Sequence, residues 1–127
     1  MTPEQLAKSG SEHSHQTALF AWAALNKNRW PELAWMHAIP NGGLRDRITA
    51  AKLKAEGVKS GVSDVFLPVK RGAWSGLYIE MKKPKGKPTA EQLDFGEFVL
   101  SQGFGFIVCD HWEKARDVII NYMELEK

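Results

Sequence analysis

The spacing of apolar residues divides this chain into alternating helices and strands. Apolar positions recur at helical intervals from about residue 11 to Lys27, and a second helix is predicted from Arg47 to Glu56, stopping at Gly57. The predicted order is helix, strand, helix, strand, strand, helix, strand, helix, which is typical of a layered α/β domain. Four short apolar segments beside turn residues are the predicted strands: Ala34–Ile39, Asp64–Val69, Gly76–Lys82 and Phe104–Cys109.

Capping residues indicate where the helices begin. In a capping box, a short polar residue and a Glu or Gln three positions later bond each other's backbone N–H. The sequence predicts three such boxes, which pair Ser9 with Glu12, Thr89 with Gln92, and Asp110 with Glu113. The helix after Thr89 is expected to end at Gly103. The last helix carries an apolar stripe, made of Trp112, Ala115, Val118, Ile119 and Tyr122.

The two middle strands carry the residues with the clearest chemistry. Asp64 begins the first of them, and Glu80 and Lys82 end the second, with fifteen residues between the two carboxylates. Because side chains alternate between the faces of a strand, Glu80 and Lys82 point to the same face. The segment 70–75 has the length and the turn residues of a hairpin loop. Asp64 is therefore expected on the neighbouring strand, facing Glu80.

Two carboxylates beside an ammonium group are the smallest set of side chains that metal-dependent phosphodiester hydrolysis requires. Asp64, Glu80 and the backbone carbonyl of Met81 would form an oxygen-rich site, which suits Mg²⁺ or Mn²⁺ rather than zinc. Such a cation polarises a phosphate and lowers the pKa of a water, and Lys82 would orient that water and offset negative charge. The other interpretation is an exposed strand with alternating charges. The Glu-x-Lys motif alone does not decide between the two.

The motifs around these residues resemble the VRR-NUC family, a branch of the PD-(D/E)-x-K nuclease superfamily. Gly61–Asp64 is similar to the G-x-x-D motif of that family, and Tyr78–Lys82 is similar to its E-x-K strand. Thr89–Gln92 resembles the start of its next helix, which opens with a Gln, and Gly103–Cys109 resembles its Gly-preceded last strand. Ser63 departs from the pattern, because the family often has Pro there. The resemblance covers most of the chain.

The resemblance implies a fold and several residue roles. The fold would be restriction-endonuclease-like, an α/β fold with an αβββαβα core and a mixed central sheet flanked by helices. Glu12, on the first helix, would reach the metal directly or through water, and Gln92 would hydrogen-bond in the site near Lys82. Asn41 would lie near the site as a DNA contact. Gln16 follows Glu12 by one helical turn on the same face, and is a further candidate DNA contact.

Three of these residues also have simpler structural explanations. Glu12 could instead complete a cap with Ser9, and Gln92 could complete the cap with Thr89. Asn41 lies in a Pro-Asn-Gly-Gly segment, where Asn is a common turn residue. The sequence leaves these alternatives open.

The segment between the Glu-x-Lys strand and the next helix is strongly basic. It leaves the strand beside the two carboxylates, where a phosphate backbone would have to lie. Lys83, Lys85 and Lys87 are therefore expected to bind DNA phosphates without reading bases. The prolines of this segment stiffen it, which limits the entropy lost on binding. A solvated surface loop is the alternative interpretation.

The composition is that of an ordinary soluble globular protein. The chain has 127 residues, which predicts a single domain over 1–127 with its own core, and it is 43% hydrophobic and 25% charged. No apolar run is long enough to span a membrane, and no signal-peptide pattern is seen. The net charge of +2 permits nucleic-acid binding without indicating it. The single Cys109 excludes an internal disulfide and is expected to be a buried thiol.

The residues and the resemblance together predict a Mg²⁺- or Mn²⁺-dependent, structure-specific DNA endonuclease. A stand-alone VRR-NUC domain resembles those of phages and bacteria, which implies the cytoplasm of a bacterium or of a phage-infected host cell. Such forms are associated with homodimers that resolve four-way (Holliday) junctions, and symmetric incision requires two sites related by a two-fold axis. The alternative enzyme is a flap or nicking nuclease on branched or single-stranded DNA. The alternative of another class is a catalytically idle nucleic-acid-binding module.

Overall fold

The structure, a computed structural model, describes residues 1–40 and 47–127. Within these ranges the helices are α1 (Pro3–Leu6), α2 (Glu12–Leu25), α3 (Arg47–Ala55), α4 (Ala90–Ser101) and α5 (Trp112–Met123). The strands are β1 (His37–Ala38), β2 (Val65–Leu67), β3 (Leu77–Met81) and β4 (Gly105–Cys109). Two 3₁₀ segments lie at Ala7–Ser9 and Pro31–Trp35. No helix in the described part of the chain has the length and apolar character needed to cross a membrane.

The four strands form one mixed sheet in the order β1-β2-β3-β4. β1 pairs with β2, and β2 with β3, in antiparallel fashion, whereas β3 and β4 are parallel. A parallel pair needs a crossover connection, and α4 supplies it. Without the short α1 and the exposed α3, the element order is αβββαβα. The predicted restriction-endonuclease-like fold is confirmed.

One face of the sheet packs against α2 and α5 to form the core. Ile79 and Met81 of β3 are fully buried there, together with Leu19 of α2 and Ile119 of α5. The apolar stripe predicted for the last helix is confirmed, since most of its members are in this core. Glu80, which lies between Ile79 and Met81, consequently points to the opposite face.

The helix α4 covers that opposite face. Tyr78 of β3 meets Phe95 of α4 edge to face, with 5.1 Å between the ring centroids. The backbone of Gly96 lies directly on the Phe106 ring, because a Cβ placed on this glycine would be 2.3 Å from the ring. α4 therefore lies close to the sheet, and its first turn lies over the end of β3.

The region before the β2–β3 hairpin differs from the prediction. The predicted strand Ala34–Ile39 is reduced to the two residues of β1, because Pro31 starts a 3₁₀ turn that continues to Trp35. Proline at the first position favours such a helical start, since its fixed φ is already suitable. The helix α1, with its own capping box between Thr2 and Gln5, was not predicted.

Only one of the three predicted capping boxes is confirmed, the one between Thr89 and Gln92. The cap of α2 is Ser11 rather than Ser9, and the Ser11 hydroxyl accepts the backbone N–H of Ser14. The predicted box between Asp110 and Glu113 is also wrong. The cap position of α5 is His111, whose side chain makes no capping bond.

The first amide of α5 is satisfied from a distant helix instead. The Nδ1 atom of His15, on α2, accepts the backbone N–H of Trp112 at 3.1 Å. His15 is buried, and burial lowers its pKa, so the neutral ring that can accept this bond is favoured. This long-range cap fixes α2 against the start of α5.

Candidate active site

Asp64 and Glu80 face each other across the β2–β3 pair. The antiparallel register joins Val65 to Ile79, and one further step in that register sets Asp64 opposite Glu80. The Oδ2 atom of Asp64 accepts the backbone N–H of Met81 at 2.8 Å. This bond fixes the aspartate at the end of the hairpin, as the strand pattern predicted.

Glu80 is a carboxylic acid in the protein interior. Its side chain is 0% exposed, and its Oε1 atom is buried without a hydrogen-bond partner among the described residues. Burial raises the pKa of Glu80 to about 9, and the neighbouring Asp64 carboxyl adds to this effect. In the absence of a cation, the Glu80 carboxyl therefore holds a proton at neutral pH. A buried carboxyl with a raised pKa beside a second carboxyl is typical of a functional site.

Lys82 lies beside this pair at the end of β3. Its Nζ atom is 3.9 Å from Glu80 Oε2, and its side chain is only 14% exposed. The backbone N–H of Lys82 donates to the Cys109 carbonyl at 2.8 Å, which continues the β3–β4 pairing to this residue. The predicted grouping of Glu80 and Lys82 on one face of the sheet is thus what the structure has.

Gln92 makes both of the contacts that the sequence offered as alternatives. Its Oε1 atom accepts the backbone N–H of Thr89 at 2.8 Å, and its backbone N–H donates to the Thr89 hydroxyl at 3.2 Å. The Nε2 atom of the same side chain donates to Glu80 Oε2 at 3.2 Å. The capping bond therefore holds the amide in the orientation that contacts Glu80.

The segment before Asp64 is packed against the start of α4. Gly61 has a φ of +88°, and a Cβ there would lie 2.8 Å from the backbone oxygen of Glu91. The Ser60 hydroxyl donates to the Glu91 carboxylate. Any larger residue at position 61 would separate this loop from α4, so this chain requires glycine there.

Glu12 belongs to the same charge cluster. The pKa of Glu12 is raised, mainly by burial and further by the Asp64 carboxylate, while Lys82 and Lys83 oppose the shift. Because Ser11 caps α2, the Glu12 side chain is not needed for the predicted box with Ser9. Glu12 lines a cleft of about 490 Å³, whose other walls are His13, Gln16, Thr17, Phe20 and Ala38. Gln16 is therefore near Glu12, as their spacing predicted.

The donor set fits a small hard cation that keeps part of its water shell. Among residues 1–40 and 47–127, no group of three or more His, Cys, Asp or Glu side chains is arranged to hold a metal ion. Two carboxylates with free oxygen capacity, such as the unpartnered Oε1 of Glu80, are nevertheless the usual protein contribution to a Mg²⁺ site. An oxygen-only donor set of this kind disfavours zinc, which prefers thiolate and imidazole ligands.

The remaining residues singled out in the sequence are the three loop lysines, an asparagine and the single cysteine. Lys83, Lys85 and Lys87 are all exposed on the loop that follows β3. Asn41 lies outside the described residues. Cys109 is buried, and burial raises the pKa of its thiol to about 11, as expected for an inert core residue.

One contribution to the site was missed by sequence reasoning. The Met81 backbone N–H holds Asp64, whereas the sequence pattern had indicated only the Met81 carbonyl.

Comparison with known proteins agrees with this geometry. The VRR-NUC domain family profile matches residues 8–112. A solved structure described as a VRR_NUC domain protein is similar over 92% of this chain and 91% of that chain, with a TM-score of 0.79 and 28% sequence identity. No curated protein matches the sequence. The chain therefore belongs to the VRR-NUC family, and is a nuclease of the PD-(D/E)-x-K type.

Proposed function

We propose that this protein is a Mg²⁺- or Mn²⁺-dependent, structure-specific DNA endonuclease that resolves four-way junctions as a homodimer. The observation that carries the proposal is the fully buried Glu80, with an unpartnered Oε1 atom, opposite Asp64 and beside Lys82. A carboxyl buried in this way is unfavourable unless a cation or a proton neutralises it.

The cation would be held by Asp64, Glu80 and the Met81 carbonyl, with Glu12 acting through water. When bound, it supplies Lewis acidity toward the scissile phosphate and toward the attacking water. The Met81 N–H fixes Asp64, and the Gln92 amide fixes Glu80, so both carboxylates are oriented before substrate arrives. Such preorganisation lowers the cost of reaching the transition state.

Lys82 would act in catalysis through its positive charge, because an ammonium group has no lone pair and cannot bind the metal. Its ammonium group lies within 4 Å of Glu80, where it would orient the attacking water and stabilise the negative charge that develops on the phosphate. The water oxygen forms the new bond to phosphorus and loses a proton to solvent. The bond from phosphorus to the leaving sugar oxygen breaks, and that oxygen takes up a proton from solvent. The exposed lysines of the following loop would hold the flanking phosphates.

The proposed substrate is branched DNA. The described residues bring together one set of candidate catalytic carboxylates. Symmetric cleavage of a four-way junction needs two sites at a fixed separation, which a two-fold dimer provides. A monomeric flap or nicking nuclease would need only one site, and is the second enzymatic candidate. A catalytically idle DNA-binding module is disfavoured by the cost of burying Glu80.

The test is cleavage of labelled four-way junction, flap and linear duplex, with and without Mg²⁺ or Mn²⁺. Asp64→Ala and Glu80→Ala should abolish cleavage because each removes a metal ligand. DNA binding, which the proposal assigns to the exposed loop lysines, should survive. Asp94→Ala, which removes an exposed carboxylate from α4, is the matched control. Cleavage by either active-site variant at the wild-type rate would exclude this site.

Lys82→Ala tests the role of the ammonium group independently of the metal ligands. Its cleavage rate should fall by about a hundredfold or more, comparable to the loss of one transition-state donor. Metal affinity, measured by titration, should change little because an ammonium group is not a ligand. Loss of metal binding with cleavage retained would contradict this role.

The dimer is tested by sedimentation at micromolar concentration. The active species should have about twice the 14.3 kDa mass of the chain. Mixing wild type with Glu80→Ala should then give junctions nicked on one strand. A monomer that cuts flaps but not junctions would favour the flap nuclease.

A further inference from the structure

A cleft of about 490 Å³ runs along α2 beside the candidate active site. Five of its six described lining residues belong to α2, where they recur at helical spacing along one side of the helix. The lining residues are Glu12, His13, Gln16, Thr17, Phe20 and Ala38. Binding sites for small molecules have volumes of about 300–1,000 Å³. The cleft is therefore large enough to hold a ligand such as one nucleotide.

The wall of the cleft opposite α2 is joined to the catalytic hairpin. Ala38 of β1 pairs with Val65 of β2, which is the residue after Asp64. The backbone N–H of Ile39 donates to the Asp64 carbonyl at 2.7 Å. On the other side, Glu12 lies near enough to the Asp64 carboxylate for that charge to raise the pKa of Glu12. A nucleotide in the cleft would therefore lie next to the phosphate that the site attacks.

The cleft offers an aromatic surface and no strong cation. No Lys or Arg is among its described lining residues, so its walls suit a base rather than a phosphate. Phe20 is half-buried, and it packs against the core while it lines the cleft. An aromatic ring held in this way is a surface on which a nucleic-acid base can stack.

Gln16 supplies a polar group beside this ring. Its half-buried side chain makes no hydrogen bond to any residue in the ranges 1–40 and 47–127. The Thr17 hydroxyl, in contrast, already donates to the His13 carbonyl at 2.9 Å. A glutamine amide has both donors and an acceptor, so it can hydrogen-bond to the edge of a base.

We propose that the cleft is a subsite for one unpaired nucleotide beside the cut, with its base stacked on Phe20 and hydrogen-bonded to Gln16. The inference rests on the proposed function and gives it a basis for selecting branched DNA. A base within a continuous duplex must first leave its pair and its stack, whereas a base that is already unpaired pays least to do so. A branch point interrupts stacking, so the nucleotide beside it enters the cleft at lower cost than one in linear duplex.

A coupling cycle between the protein and the DNA tests this subsite. In a labelled four-way junction, each nucleotide near the branch point is left unpaired by a mismatch in turn, and is then replaced by an abasic nucleotide. Equilibrium binding is measured without added metal, so that it does not depend on cutting. At the position that occupies the cleft, removal of the base should weaken wild-type binding by about fivefold to a hundredfold, as expected for one stacked base.

Phe20→Leu should remove most of this dependence on the base. The same abasic replacement should change the binding of Phe20→Leu by less than about threefold, because the base and the ring contribute through one shared contact. A folding defect would instead weaken binding by the same factor at every position of the junction. Gln16→Ala, which removes no core packing, should also reduce the dependence on the base at the same position.

The matched control is Phe98→Leu. Phe98 is an exposed phenylalanine on α4 and is not among the residues that line the cleft. This variant should keep the wild-type dependence on the base. The inference is overturned if no abasic position weakens wild-type binding, or if the abasic effect is the same in wild type, Phe20→Leu and Gln16→Ala.

Cleavage separates this inference from the proposed function. In Mn²⁺, a linear duplex with one mismatch should be cut faster than a fully paired duplex by wild type, and Phe20→Leu should lose this preference. If wild type shows the dependence on the base in binding but cuts no branched DNA with either metal, the proposed function fails and the subsite stands. If wild type cuts junctions and its binding does not depend on the base, only the subsite fails.

Discussion

Thr89→Ala and Gln92→Ala form a pair of substitutions that separates the structural role of Gln92 from its role in the site. Each removes one half of the same capping box: Thr89→Ala removes the hydroxyl that accepts the Gln92 N–H, and Gln92→Ala removes the oxygen that accepts the Thr89 N–H. Only Gln92→Ala also removes the amide that donates to Glu80. The two variants therefore share a stability defect and differ at one contact in the site.

The expected magnitudes follow from these contacts. Loss of a capping hydrogen bond costs about 1 kcal/mol of unfolding free energy, so each variant should lower the Tm by about 3–5 °C. A hydrogen bond to an ionised group contributes about 1.5–3 kcal/mol, and Glu80 is ionised when a cation is bound. Gln92→Ala should therefore reduce kcat by about tenfold to a hundredfold, whereas Thr89→Ala should stay within about threefold of wild type.

The two quantities are measured independently. Thermal unfolding followed by circular dichroism gives the stability change, and single-turnover junction cleavage at saturating Mn²⁺, well below both Tm values, gives the rate. Equal Tm shifts with unequal rates would support the dual role of Gln92. Equal rates for the two variants would refute the reasoning, because the bond to Glu80 would then have no effect on catalysis.

Four further substitutions test the packing and capping. Ser63→Ala should leave the free energy of unfolding unchanged or raise it by about 1 kcal/mol, because the buried Ser63 hydroxyl has no partner in the described residues. Ser14→Ala should lower the free energy of unfolding, because the buried Ser14 hydroxyl donates to a backbone carbonyl. Urea unfolding compares the two variants. Gly96→Ala, normally favourable in a helix, should destabilise by about 1–3 kcal/mol in the same assay because of its clash with the Phe106 ring. Because the pKa of His15 is lowered in the folded protein, the stabilising contribution of His15 is complete above its unfolded pKa of about 6.5 and is lost as the pH falls below that value. Wild type should therefore lose more stability than His15→Gln between about pH 7.5 and about pH 5.5.

The sequence predicted the parts of the fold and the site that depend on local patterns. The β2–β3 hairpin and the meeting of Asp64, Glu80 and Lys82 follow from alternation, turn residues and strand register. The Thr89–Gln92 box was also predicted, because both partners are close in sequence. Each of these features is encoded within a few residues or within one hairpin. The mixed sheet, with its parallel β3–β4 pair, was expected only from the family resemblance.

Sequence reasoning missed one feature whose partners are distant in the chain and others that are local. The cap of α5 comes from His15, 97 residues earlier, so no local motif indicates it. The strand predicted around β1 was shortened by the 3₁₀ turn that Pro31 begins. Whether Gln92 caps its helix or contacts Glu80 was also undecidable, because it depends on how closely α4 approaches the sheet.

The buried Glu80 affects which substitutions this position can accept during evolution. A carboxyl without a full set of partners in the interior lowers the stability of the metal-free chain, so neutral mutation would readily replace it with an amide or an apolar residue. In a lineage that no longer cut DNA, such replacements would raise the amount of folded protein, and no loss of activity would select against them. Under the proposed function, the glutamate at position 80 therefore lowers stability and is retained for its role in catalysis.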